Sequence, residues 1–172
     1  MRKMPARLRT FAVAIALVGI PFVSAACHQA DLSKSLTVTP VLSGYYDAGL
    51  LDGWAHLLPD LNFKVKNTGA QSVPAGVQLT VSFWFVNDDG ENDSVVLGGL
   101  QKSLAPGEET EVKNARAPHG FRLEGARADL FTNSHFRDMV AKVFAQSHGT
   151  IYRLGEFPID HQIIPHATSG RP

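Results

Sequence analysis

Val77-Gln78-Leu79-Thr80-Val81-Ser82-Phe83-Trp84-Phe85-Val86 decides the fold class of this chain. Val77, Leu79, Val81, Phe83 and Phe85 share one parity; Gln78, Thr80, Ser82, Trp84 and Val86 share the other. An apolar set recurring every second residue marks a half-buried strand. The run stops at Asn87-Asp88-Asp89-Gly90, where the Asp-Gly pair predicts a tight turn with positive φ. Residues 94–98 then return as a short strand.

Working outward, Leu61, Phe63 and Val65 alternate with Asn62, Lys64 and Lys66, predicting a strand over 61–67 closed by Asn67-Thr68-Gly69. Leu36 and Val38 alternate with Thr37 and Thr39, a first strand near 35–43. Downstream, Leu104–Glu108 is a turn and 110–117 alternates again. Residues 118–137 read as loop with a short strand. Residues 138–146 fit a helix or a strand, but Ser147-His148-Gly149 and the strand-like 151–164 favour a closing hairpin. About seven short strands predict an all-β protein, an immunoglobulin-like antiparallel β-sandwich. The alternative is an α+β domain with a helix near 136–147. The expected core is Phe63, Val65, Leu79, Val81, Phe83, Phe85, Val140 and Phe144.

Two segments carry a family resemblance: Phe63-Lys64-Val65-Lys66-Asn67-Thr68-Gly69 and Leu104-Ala105-Pro106-Gly107-Glu108-Glu109-Thr110. A strand ending in Asn-x-Gly, then a Pro-Gly turn feeding the next strand, resembles bacterial adhesion-related (CARDB-type) sandwich domains over residues 61–113. The resemblance implies a module that binds or spaces other modules and is not an enzyme. Its motifs are turn chemistry shared by many sandwiches, so they bear on fold more than function.

The N-terminus has a different character. Arg2, Lys3, Arg7 and Arg9 precede thirteen uncharged residues, Phe11–Val23, and then Ser24, Ala25 and Ala26. This is the order of a secretory signal, residues 1–26. The apolar stretch is short of the roughly 20 residues of a spanning helix, and Pro21 interrupts it. Cys27, the single cysteine, follows directly. Val23-Ser24-Ala25-Ala26-Cys27 resembles a bacterial lipoprotein box, with Ser24 where Leu, Val or Ile is usual. The resemblance implies acylation of Cys27, and two acyl chains anchor a protein stably without a spanning helix. His28, where an Asp often marks inner-membrane retention, leans the address toward the outer membrane, facing the periplasm. The competing reading is ordinary cleavage after Ala25 or Ala26, giving a soluble periplasmic or secreted protein. Residues 27–35 then form a lipidated tether, 36–164 the sandwich, and 165–172 a polar tail.

Without residues 1–26 the chain carries twelve basic and sixteen acidic side chains, a net of −4. That balance argues against nucleic acid, which needs clustered Lys and Arg. Gly-x-Ser-x-Gly, Gly-x-x-x-x-Gly-Lys and His-Glu-x-x-His are all missing, and one cysteine excludes zinc fingers and redox pairs. No catalytic residue and no cofactor is implied. Of seven histidines, His119, His135 and His148 lie where loops of a sandwich would meet, a weak metal set. Asp88, Asp89, Glu91 and Asp93 crowd oxygen donors into one turn, a weak calcium candidate, although the spacing is not that of an EF-hand loop.

The remaining candidate is 44–58, read as a long loop between the first two strands. Tyr45, Tyr46, Asp47 and Trp54 would grip a partner or stack on a sugar. The plainer reading has Tyr46, Leu51, Trp54 and Leu57 folding back to plug the end of the sandwich. Three functions follow. The first is a membrane-tethered, non-catalytic interaction or assembly module for another envelope protein, using 44–58 or an open sheet edge. The second is a carbohydrate or other small-ligand binder, and the third a small metal-dependent enzyme.

Overall fold

The computed structural model describes residues 31–124 and 126–165. The signal segment, Cys27, the first part of the tether and residues 166–172 lie outside it. A single helical turn, α1 (Leu32–Ser35), is capped by Asp31, whose carboxylate accepts the Ser33 N–H at 3.1 Å. Leu32 is buried in the core, so the ordered domain begins within the stretch read as tether.

Nine strands follow: β1 (Leu36–Leu51), β2 (Trp54–Asn67), β3 (Gln78–Phe85), β4 (Glu91–Gly99), β5 (Lys113–Arg116), β6 (Phe121–Leu123), β7 (Met139–Ser147), β8 (Thr150–Pro158) and β9 (Ile163–Ile164). A 3₁₀ turn, Arg127–Thr132, lies between β6 and β7. One sheet has the order β5-β2-β1-β9, with β6 also on β2; the other is β4-β3-β7-β8. Every pairing is antiparallel except the short β1–β9 contact. In immunoglobulin notation the sheets read E-B-A and C′-C-F-G, the immunoglobulin-like antiparallel sandwich expected, with nine strands in place of about seven. The segment 136–147 contains β7, which excludes the α+β alternative.

The inner faces interdigitate as the alternation demands. Phe63, Val65, Leu79, Val81 and Phe83 are buried, and Phe85 packs against the core from its margin. In β7 the phase is opposite to the one expected. Met139, Ala141, Val143 and Ala145 face inward, while Val140 and Phe144 lie on the outer face with Lys142. Both parities of this strand are apolar, so the one charged residue settles which faces water. The register also sets small against large, with Ala141 opposite Phe83 and Ala145 opposite Leu79.

Three turns use residues able to adopt positive φ. His148 (φ 48) and Gly149 (φ 82) close β7–β8. After β3 the positive φ falls on Asn87 (φ 64), not on the Asp89-Gly90 pair. The third, Asp52 (φ 53) and Gly53 (φ 85), corrects a larger expectation. Residues 44–58 are not a loop: β1 and β2 run on as a ladder to Leu51↔Trp54 and meet at a two-residue turn.

The Asn67-Thr68-Gly69 and Pro106-Gly107 turns interlock. Asn67 N–H donates to Glu108 O at 2.8 Å, and Gly107 N–H to Asn67 O at 2.7 Å. The buried Asn67 amide donates to Gln71 O and Leu104 O, both at 2.8 Å, while its Oδ1 accepts Gly69 N–H at 2.9 Å. One side chain therefore ties its own turn to the Leu104–Glu108 turn.

The same turn has an acid-labile rim. Glu108 is held below the ordinary glutamate range by its hydrogen bond to Lys102 and by the Ala105 N–H, and Glu109 by Lys64. Lowered folded-state values stabilise above the ordinary value of 4.5, and this is lost as pH falls through the folded value. The Tm is expected to fall between about pH 5 and pH 3. Lys64→Gln with Lys102→Gln should flatten part of that fall; an unchanged profile contradicts the assignment.

Candidate functional site

The β1–β2 ribbon is the longest feature of the fold and holds all four residues of the partner-loop candidate. A bulge between Asp47 and Leu50, with Gly49 at φ 92, precedes the turn. On the opposite edge of β2, β6 continues the sheet through Ala55↔Leu123 to Leu57↔Phe121. Gly120 permits this approach, since a Cβ there would stand 2.2 Å from Leu57 O.

The four candidates have separate fates. Tyr45 is fully buried, its ring 5.6–5.8 Å from those of Phe121, Phe131 and Phe136. Burial, with the nearby Asp138 charge, holds its phenol protonated well above the usual range. It is a core residue, with its side chain turned away from solvent. Tyr46 is half-buried, with the Arg116 guanidinium 3.2 Å from its ring centre. Arg116 in turn donates to Asp60, a fully buried carboxylate, at 2.7 Å. Asn62 and Asn114 also donate to Asp60, both at 2.8 Å. Asp47 forms an ion pair with Arg127 and accepts the Gly49 N–H at 2.8 Å, tying the ribbon to the 3₁₀ turn.

Of the four, Trp54 is the most exposed, at 43%, and beside it Leu50 and Leu51 reach 65% and 58%. The plug reading fails for Leu51 and Trp54 and holds for Leu57, which is buried. Leu50 was legible only through the Asp52-Gly53 pair, which places it on the last rung but one before the turn. Three large apolar side chains on one projecting tip are costly to leave in water. Leu51 and Trp54 face each other across the last rung and share one face of the ribbon, while Leu50 projects from the other. The tip is therefore apolar on both faces, and exposed apolar surface of this kind often marks an interaction site.

The other candidates do not assemble. Asp88 pairs with Arg137, Glu91 accepts from Ser82, and Asp93 holds His119, so the acids of the calcium candidate are drawn to different partners. His135 and His148 each meet the neighbouring serine. Among the described residues no group of three or more His, Cys, Asp or Glu could hold a metal ion, and no helix is long and apolar enough to cross a membrane.

Fold and site together define an antiparallel β-sandwich that carries an apolar-tipped hairpin. No family model matches the chain, and no curated protein matches it.

Proposed function

We propose that this protein is a non-catalytic cell-envelope lipoprotein, anchored through Cys27, which docks onto another envelope protein with the tip of the β1–β2 hairpin. The observation that carries the reading is the exposed trio Leu50, Leu51 and Trp54 at a projecting end. A Trp flanked by aliphatics is the composition of an interface anchor, which fills a pocket on the partner. The geometry of β1 supports the orientation. Its sixteen residues run, with register shifts at Pro40–Leu42 and Asp47–Leu50, from Leu36, beside the N-terminal helical turn, to the tip. That is about 50 Å of extended chain, so the tip points away from an N-terminal anchor. The four residues from Cys27 to Asp31 span at most about 14 Å, which keeps the base of the sandwich near the bilayer. Absence of the common catalytic motifs from the sequence agrees with a binding role.

Sugar stacking through Tyr45, Tyr46 and Trp54 is the weaker reading of this ribbon. Tyr45 is inside the core and one face of Tyr46 is covered by Arg116.

Intact mass of the protein purified from its native membrane tests the anchor. The expected species begins at Cys27 and carries acyl chains, and Cys27→Ser abolishes it. An unmodified chain beginning at Ala26 or Cys27 would replace the tethered module with a diffusible binder.

A further inference from the structure

A groove of about 260 Å³ crosses the outer face of the second sheet, far in sequence from the hairpin tip. The register explains why its residues converge. Ser82 lies between Ser94 and Lys142, Thr80 faces Phe144, and Gln146 faces Ile151. The buried Ser82 and the half-buried Thr80 and Phe144 form its floor; Glu91, Ser94 and Ile151 are its exposed rim.

The chemistry of this lining is specific in three respects. First, Ser82 Oγ donates to Glu91 Oε2 at 2.7 Å, which fixes a carboxylate at the rim. An ionised carboxylate only accepts, so a ligand must bring hydrogen-bond donors to it. Second, the hydroxyls of Thr80 and Ser94 and the amide of Gln146 can each donate and accept, which suits a ligand carrying many hydroxyls. Third, the Phe144 ring and the Ile151 side chain supply an apolar surface for a ligand with an apolar face.

Charge narrows the class further. Glu91 opposes an anion. Lys142, the register neighbour of Ser82, has its ammonium 3.6 Å from the Trp84 ring centre on the same sheet face, and it opposes a cation. The volume lies below the range usual for drug-sized ligands, so the occupant is small or only one unit of a longer chain is seated.

We propose that this groove is a binding site for a neutral saccharide, which stacks its C–H face on Phe144 and donates hydroxyls to Glu91 and Gln146. The site is separate from the hairpin tip and does not depend on the docking role.

The test is an NMR titration of the ¹⁵N-labelled mature protein. The probes are the tetrasaccharides of β-1,4-glucose, β-1,4-N-acetylglucosamine and α-1,4-glucose. At least one is expected to shift the amides of Thr80, Ser82, Ser94 and Gln146 saturably while those of residues 50–54 stay still. Glu91→Gln keeps the shape of the rim and removes the charged acceptor, so it should weaken binding about tenfold. Phe144→Ala, on the outer face of its strand, should weaken it about as much. The site is overturned if all three sugars leave these amides unmoved at millimolar concentration. It is equally overturned if the shifts map elsewhere, or if a folded Glu91→Gln protein binds with unchanged affinity.

Discussion

Asn67→Ala is expected to lower the unfolding free energy by about 3 kcal/mol, read from urea denaturation with an unchanged m-value. The wild-type side chain makes three hydrogen bonds with distances of 2.8–2.9 Å and is fully buried. Each contributes about 1 kcal/mol net, and truncation also takes the side-chain donor from Gln71 O, while Leu104 O keeps the Val73 N–H at 2.9 Å. Asn67→Asp separates this account from mere packing. It keeps the shape and the acceptor for Gly69 N–H, but sets a carboxylate oxygen against two carbonyls. It should therefore cost at least as much as alanine. A loss below about 1 kcal/mol for either variant would mean that the two turns hold without this link.

The second large effect is on binding. Replacing Leu50, Leu51 and Trp54 together by serine should change stability by less than about 1 kcal/mol, because all three side chains already face solvent. Docking to the envelope partner should weaken at least about 100-fold, the consequence of removing a buried aromatic anchor and its neighbours from an interface. Affinity purification from native membranes reads this directly: a partner retained by wild type and by Val112→Ser should be lost with the triple variant. Val112 is the proper control, being 48% exposed yet next to Lys113, which pairs with Phe63 nine positions along β2 from Trp54. Equal loss with Val112→Ser would reduce the tip to a generally sticky surface.

The fold was legible because residues 61–66 of β2 and 77–86 around β3 each carry a clean alternation with polar residues on one parity only. Where both parities are apolar, as in Met139–Ala145, period alone is silent about which side faces in. Lys142 was the usable signal there, since it shares its parity with Val140 and Phe144. The hairpin tip was missed for another reason. Three glycines and a mixed composition over 44–58 look like a loop, and Asp52-Gly53 is the same turn pair that was read at Asp89-Gly90. Reading it as a hairpin puts Leu50, Leu51 and Trp54 at an exposed end. Burial of Tyr45 was not available from any local pattern. It depends on Phe121, Phe131 and Phe136, which are more than seventy positions away and come together only in the folded sandwich. The groove on the second sheet has the same origin, because it joins residues of four strands through register.

The most direct test of the docking role is a photo-crosslinking residue placed at Leu51 in the full-length protein in its native cells, with the same residue at Val112 for comparison. The account predicts one discrete protein adduct from position 51, absent from position 112 and lost when Leu50 and Trp54 are changed to serine. Adducts to lipid alone, or none from position 51 while the protein is membrane-bound, would contradict docking through the hairpin tip.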